Sequence, residues 1–235
     1  MKTLVWGVQL TMPCGGALLW IGGACLMSFT VAAIFGGRLK MRRNAYLALY
    51  VPAVAAYVTW FSVSQGLDIG AELSRHVIWG VTGAVAVGFV VIRNVVNQPR
   101  YPRRRGTAFM LDALWPGVAY GLADAALLSV LPVLAVREAA LFVAGPTGPG
   151  GSIVVGGLGL VASLLLTFCY HVGYPEFRNP RVFWTMYGNG VMTLALLITA
   201  NPLAALLPHA AMHVTTVWRS RESAGQLPPH NQSNE

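Results

Sequence analysis

The feature that most constrains the fold of this chain is a series of apolar runs separated by short polar breaks. Each run is about 17–25 residues long, and about 20 apolar residues cross the hydrocarbon core of a bilayer as a helix. The pattern therefore predicts seven membrane-spanning helices. Their expected bounds are Pro13–Phe35, Ala45–Val63, Val77–Ile92, Trp115–Val136, Ile153–His171, Phe183–Thr199 and Pro202–Trp218.

The composition supports the same fold class, an all-α polytopic membrane bundle. Hydrophobic residues make up 55% of the chain and charged residues only 10%, whereas soluble domains are about a quarter charged. An alternative for Thr107 to Leu114 is a short additional helix along the membrane surface before the fourth span. The three cysteines show no C-x-x-C spacing, so neither a disulfide framework nor a zinc ribbon is indicated.

The basic residues alternate between the polar breaks. One set of breaks and the tail hold Arg38, Lys40, Arg42, Arg43, Arg93, Arg100, Arg103, Arg104, Arg105, Arg178, Arg181, Arg219 and Arg221. The opposite breaks and the start of the chain hold only Lys2, Arg75 and Arg137. Positive loops stay in the cytoplasm, so we expect a bacterial-type plasma membrane, with the N-terminus outside and the C-terminus inside. The net charge of +8 thus indicates contact with the lipid bilayer, and no nucleic acid is expected.

Three regions follow from this pattern. Residues 1–106 form an N-terminal region of three spans with basic cytoplasmic loops. Residues 107–221 form a C-terminal region of four spans, and residues 222–235 form a polar, proline-containing tail that is predicted to be disordered.

The ionisable residues within the spans are the best indication of function, because such groups are costly in a bilayer and face a bundle interior or a water-filled cavity. The set comprises Asp124, His171, His209 and His213, with Asn189 and Asn201 as weaker members. Asp112, near the interface, is expected to face lipid headgroups. Small residues such as Gly117 and Gly121 surround Asp124 and predict close helix packing there.

His209 and His213 are four residues apart and therefore share one face of a helix. Two histidines at this spacing can bind one metal ion, and Pro208 is expected to kink the helix beside them. Together with Asp124 and His171 they form either a set of Zn²⁺ ligands or a metal-free acid–base set that activates water. Packing by hydrogen-bonded side chains is the structural alternative.

Three short motifs carry these residues in order, namely "ADAALLS", "TFCYH" and "HAAMH". Their order and spacing resemble the CPBP family of intramembrane proteases, which includes CAAX proteases and bacteriocin-processing (Abi) proteins. That family carries E-E-x-x-x-R, F-x-x-x-H and H-x-x-x-N or H-x-x-x-D on separate spans. The resemblance covers about Trp115 to Trp218.

The resemblance implies an intramembrane endopeptidase that acts on a membrane-associated peptide. Asp124 would be the base, His171 and His209 would stabilise the oxyanion or bind a divalent metal such as Zn²⁺, and His213 would replace an orienting amide or act as a further metal ligand. The chain departs from the family pattern in three places. One aspartate replaces the paired glutamates, Leu128 or Ser129 stands at the arginine position, and Thr167 stands at the phenylalanine position. A non-catalytic relative is therefore an alternative.

Three further classes remain open from the sequence. The histidines of two helices could hold haem in an electron-transfer protein. The same groups could relay protons in a transporter. A structural or assembly protein would use every buried polar group for packing.

Overall fold

A computed structural model describes residues 15–97, 105–145 and 148–219 of the chain. All regular structure in these ranges is helical, which confirms the predicted fold class. The helices are α1 (Gly15–Val31, extended by a π-helical segment, Ala32–Arg38), α2 (Arg43–Gln65), α3 (Ile69–Ser74), α4 (Val77–Val96), α5 (Thr107–Ala144), α6 (Pro149–Val172), α7 (Arg181–Thr199) and α8 (Leu203–Arg219).

Six of these helices are long and apolar enough to cross a membrane, namely α1 with its extension, α2, α4, α5, α6 and α7. The predicted seventh span corresponds to α8, which has 17 residues and so lies at the lower limit of about 17–25 residues for crossing the hydrocarbon core. The chain is thus a multi-pass membrane protein. The beginning of the predicted first span, at Pro13, lies outside the described residues.

Helix α5 is longer than the predicted fourth span. It runs without interruption for 38 residues, so Thr107 to Leu114 form its first turns rather than a separate surface helix. Asp112 is buried there, so the prediction that it faces lipid headgroups is wrong. Two π-helical segments, Ala113–Ala119 and Ala126–Val130, flank the turn that carries Asp124. Such segments are frequent at functional sites.

Glycines allow α8 to pack tightly against α5. A Cβ atom at Gly121 would lie 2.7 Å from the Cα of Ala210, and one at Gly117 would lie 2.9 Å from a methyl of Val214. Residue numbers rise along α5 as they fall along α8, so the two helices are antiparallel. The predicted close approach of the small-residue face around Asp124 is therefore confirmed.

Buried amides account for much of the remaining polar packing. Asn189 on α7 donates to Ser163 Oγ at 2.9 Å and to Thr167 Oγ1 at 2.8 Å, and accepts from Ser129 Oγ at 2.9 Å. Asn201 accepts from the backbone N–H of Leu203 at 2.8 Å and so caps α8. Both asparagines thus join helices or helix ends.

The path of the chain collects basic residues at one end of the bundle, which we call the basic end. Its described members are Arg38, Lys40, Arg42, Arg43, Arg93, Arg105, Arg178, Arg181 and Arg219, whereas Arg75 and Arg137 lie at the opposite end. Lys2, Arg100, Arg103, Arg104, Arg221 and the tail 222–235 lie outside the described residues.

An ion pair joins α3 to α5 at the opposite end. Arg137 donates from both terminal nitrogens to the carboxylate of Glu72, at 2.8 and 2.9 Å, and Glu72 is buried. Hydrogen bonds from Arg137 hold the pKa of Glu72 below its ordinary value. Two parallel hydrogen bonds between a guanidinium and a carboxylate are stronger than hydrogen bonds between neutral groups.

We expect acid to weaken this junction. Because the folded-state pKa of Glu72 is depressed, its stabilisation is complete above the unfolded-state value and is lost as the pH falls through the folded-state value. Thermal unfolding in detergent should therefore shift downwards below about pH 4.5. Glu72→Gln should reduce that acid dependence, whereas Glu176→Gln at the basic end should retain it. An equal acid dependence in the wild type and Glu72→Gln would contradict the assignment.

Candidate functional site

Three ionisable side chains meet between α5 and α8. The Oδ2 atom of Asp124 lies 4.0 Å from Nε2 of His209 and 3.8 Å from Nε2 of His213. One potential ligand atom from each residue lies within 4.8 Å of the other two. The three residues are only 2–5% exposed. Residues more than 80 positions apart in the chain therefore form one compact, buried group.

The local geometry of α8 sets the positions of the two imidazoles. His209 and His213 are one turn apart, and their rings stack with centroids 5.2 Å apart and planes 13° apart. A Cβ atom at Gly121 would lie 3.1 Å from Cδ2 of His213. The absence of a side chain at Gly121 therefore lets the imidazoles lie directly against α5.

A tyrosine from a third helix fixes the carboxylate. Tyr50 of α2 is fully buried, and its hydroxyl donates to Oδ1 of Asp124 at 2.6 Å. The two carboxylate oxygens thus have separate roles, because Oδ1 accepts from the phenol while Oδ2 faces the histidines. A hydrogen bond of this kind orients a metal-binding carboxylate.

The imidazoles have nitrogen atoms without partners. Within the described residues, both ring nitrogens of His213 and Nδ1 of His209 are buried and make no hydrogen bond. A buried polar group left in this state costs about 1–3 kcal/mol. A bound cation would accept one lone pair from each ring. Metal binding would therefore satisfy one nitrogen of each of these buried imidazoles.

The donor set fits a divalent cation. Two neutral imidazoles and one carboxylate are the ligand types of catalytic zinc sites, which keep a further position open. Metal–ligand bonds of about 2.0–2.1 Å place tetrahedral ligands about 3.4 Å apart. The separations from Oδ2 of Asp124 are 4.0 and 3.8 Å, and no two ligand atoms of the group are more than 4.8 Å apart, so the side chains would have to move closer together to bind the cation.

His171 is not a member of this three-residue group, although it lines the same cavity. Its Nδ1 atom lies 2.8 Å from the carbonyl oxygen of Thr167. Because a carbonyl only accepts, Nδ1 carries the proton and Nε2 keeps a lone pair. The ring is held between Tyr170 and Phe177. His171 is therefore placed beside the group, with its Nε2 lone pair available as a base.

The site borders a cavity of about 440 Å³. Residues of α4, α5, α7 and α8 and the last turn of α6 form its walls. Asp124, His171, His209 and His213 all line it. The structure thus brings the four predicted site residues to one space, although only three of them form the close group. Their catalytic and ligand roles stay predictions.

Buried tyrosines that the sequence pattern did not single out form a cluster beside the site, namely Tyr46, Tyr50, Tyr120, Tyr170 and Tyr174. The hydroxyl oxygen of Tyr174 lies within hydrogen-bond distance of the hydroxyls of Tyr46, at 2.6 Å, and of Tyr170, at 2.9 Å, and Tyr170 shares a 2.7 Å hydrogen bond with Tyr120. The available signal was the i, i+4 spacing of two tyrosine pairs at span ends, which is the spacing of the two histidines.

We predict that Tyr50→Phe weakens metal binding without unfolding the protein. Loss of the hydroxyl frees the carboxylate of Asp124 to rotate, and such outer partners contribute about 10–100-fold to metal affinity. The ring stacking of Tyr50 on Tyr46 and Tyr170 should persist. Calorimetric titration with Zn²⁺ measures the effect. Tyr57→Phe removes a 2.7 Å hydrogen bond to Trp20 elsewhere and is the control. Equal affinities in both variants would contradict the role of Tyr50.

The chain matches no protein-family model, no curated protein and no solved structure at a significant level.

Proposed function

We propose that the protein is a membrane-embedded, metal-dependent hydrolase, broadly of the kind that the CPBP resemblance implies. The observation that carries this proposal is the convergence of Asp124, His209 and His213 on one buried point beside a cavity. Two imidazoles and a carboxylate with an open side form a recurring arrangement of hydrolytic metal sites.

The proposed roles follow from the contacts. Oδ2 of Asp124 and Nε2 of His209 and His213 hold the divalent cation, which supplies Lewis acidity when bound. Tyr50 keeps Asp124 in place through Oδ1. Asp124 thus serves as a ligand, whereas the resemblance implied that it is the base.

His171 is the general base of the proposed reaction. Its Nε2 accepts a proton from a water molecule in the cavity as the water oxygen attacks an acyl carbon. The bond between that carbon and the leaving group then breaks, and His171 returns the proton to the leaving group. Its Nδ1–H bond to Thr167 keeps the ring in the required tautomer.

The geometry favours this function over a haem held by both histidines of α8. His209 and His213 stack side by side on one face of α8, whereas axial haem ligands approach the iron from opposite sides. Within the described residues, the group also has the carboxylate that a hydrolytic metal site uses. For a haem held by His171 and one histidine of α8, the test is the Soret band, which we expect the purified protein to lack.

The test is hydrolysis by the full-length protein in lipid nanodiscs. The protein is stripped with a chelator, reloaded with Zn²⁺, Mn²⁺ or Co²⁺, and supplied with fluorogenic peptide amides and acyl esters that carry a lipid anchor. Metal-dependent turnover that is lost in His171→Gln, with metal content retained, supports the proposal. Absence of a stoichiometric metal from every reloaded sample would overturn it.

We further propose a plasma-membrane location with the basic end in the cytoplasm and the N-terminus outside. A fluorescent protein fused after Arg219 should fluoresce in bacterial cells. Alkaline phosphatase inserted beside Arg75 should be active, because that break would face the periplasm. The reverse pair of signals would contradict this orientation.

A further inference from the structure

The cavity opens sideways between membrane-spanning helices. Trp184 and Tyr187 on α7 line it, yet their side chains are 76% and 60% exposed. A residue that both lines a cavity and lies on the outer surface marks its mouth. Both residues lie in the first two turns of α7, close to the basic end, so the mouth lies near one surface of the membrane, within reach of a lipid headgroup and of the chains below it.

The inner wall suits a hydrocarbon chain. Val91, Leu128, Met192 and Met212 line the cavity, and methionine side chains adapt to flexible apolar ligands. A volume of about 440 Å³ lies within the usual range for small-molecule sites, about 300–1,000 Å³. A molecule that enters from the bilayer can therefore place an alkyl chain here.

A cation stands at the rim. Arg181 is the first residue of α7, lies at the basic end and is exposed, yet it lines the same cavity. Among the described residues, its guanidinium has no acidic partner and no hydrogen bond. Asn94, in the last turns of α4, also lines the cavity and supplies an amide. Guanidinium groups bind phosphate oxygens with two parallel hydrogen bonds.

We propose that the cavity binds a membrane lipid with an anionic phosphate headgroup, which enters between α4 and α7. The phosphate sits at Arg181 and Asn94, and an acyl chain extends into the apolar pocket beside the Asp124, His209 and His213 group. That the bound lipid is also the substrate of hydrolysis rests on the proposed function. Binding of the lipid does not rest on it.

Binding is measured by native mass spectrometry of the full-length protein after exchange into detergent with defined lipid. The probes are phosphatidylglycerol, which is anionic, and phosphatidylcholine, which is zwitterionic. We expect one phosphatidylglycerol per chain and about a tenfold preference for it. Both lipids carry the phosphate, but the choline ammonium of phosphatidylcholine is repelled by the guanidinium of Arg181, and a repulsion of about 1.4 kcal/mol corresponds to that factor. Arg181→Gln should remove the preference. Arg93→Gln, an exposed arginine at the same end outside the cavity, should retain it.

Two glycines give a second, charge-independent pair of variants. Gly188 lines the cavity and Gly157 on α6 does not, and a Cβ at either position meets nothing within 4 Å. Gly188→Phe should fill the pocket and abolish retention of both lipids, whereas Gly157→Phe should leave retention unchanged. Equal retention of the two lipids by the wild type, or equal effects of the two glycine variants, would overturn the proposal. Competition for the site by glycerol 1-phosphate as strong as that by the intact lipid would also overturn the proposal, because this compound has no acyl chain.

The two proposals fail separately. His209→Ala with His213→Ala removes the metal ligands but leaves Arg181 and the mouth intact, so this double variant should still retain phosphatidylglycerol. A chain that binds metal and cleaves water-soluble substrates, but shows no preference for the anionic lipid, would refute the lipid site and leave the hydrolase standing. Selective retention of phosphatidylglycerol without any bound metal would refute the hydrolase and leave the lipid site standing.

Discussion

Replacement of Asp124 by asparagine should lower the affinity for Zn²⁺ about a hundredfold or more. Loss of an outer partner of a metal ligand already costs about 10–100-fold, and this change removes the only carboxylate of the buried group within the described residues. The amide oxygen can still accept from Tyr50, so the position of the side chain should be kept. His213→Ala should have an effect of similar size. Metal content and calorimetric titration of the purified variants measure both.

Asp68→Asn is the matched control, because it makes the same chemical change at an exposed residue that caps α3, where asparagine also caps well. The metal-free Asp124→Asn protein should be as stable to heat as the metal-free wild type, since the asparagine oxygen can still accept from Tyr50 and its amide group can donate to a ring nitrogen of His213 that has no hydrogen-bond partner among the described residues. A purely structural role for Asp124 makes the opposite prediction. Substantial loss of stability with unchanged metal binding would therefore reject the site.

Gly121→Val should disrupt the interface between α5 and α8 and the site with it. The new Cβ would lie 2.7 Å from the Cα and 3.1 Å from the backbone nitrogen of Ala210. Backbone atoms cannot rotate away, so the helices must move apart, at a cost of about 3 kcal/mol or more. The separation would also carry His213 away from Asp124. We expect a lower unfolding temperature together with weaker binding of Zn²⁺.

Gly157→Val provides the comparison for this effect. Its Cβ would meet nothing within 4 Å on α6, while the change in helix propensity is the same. The Gly157→Val protein should keep both its unfolding temperature and its metal affinity to within the small propensity cost. If the two valine variants behaved alike, close packing at Gly121 could not be what positions the site.

The sequence located the long apolar helices and the polar residues that each of them carries. Hydropathy alone located the membrane-spanning segments, because the cost of exposing polar groups to lipid sets the length and composition of each run. Helical periodicity placed His209 and His213 on one face, and the small residues near Asp124 indicated a close neighbour. The sorting of basic residues between the breaks defined the basic end of the bundle.

Only the tertiary structure decided which faces meet. The period of a helix relates residues within that helix, but it does not give the rotation of one helix against another. The convergence of Asp124 with both histidines, the hydrogen bond from Tyr50 and the position of His171 beside the group all depend on such rotations.

The length of α5 also separates what hydropathy predicts from what the folded structure decides. The apolar run predicted a span from Trp115, but helix formation continues through the residues from Thr107, because hydropathy reports the preference for lipid and not the end of a helix. The two π-helical segments change the angular position of the residues that follow them, and no hydrophobic pattern records that change. Asp124 could thus be identified from its chemistry in the sequence, whereas its ligand-like position beside His209 and His213 follows only from how α5 and α8 pack at Gly121.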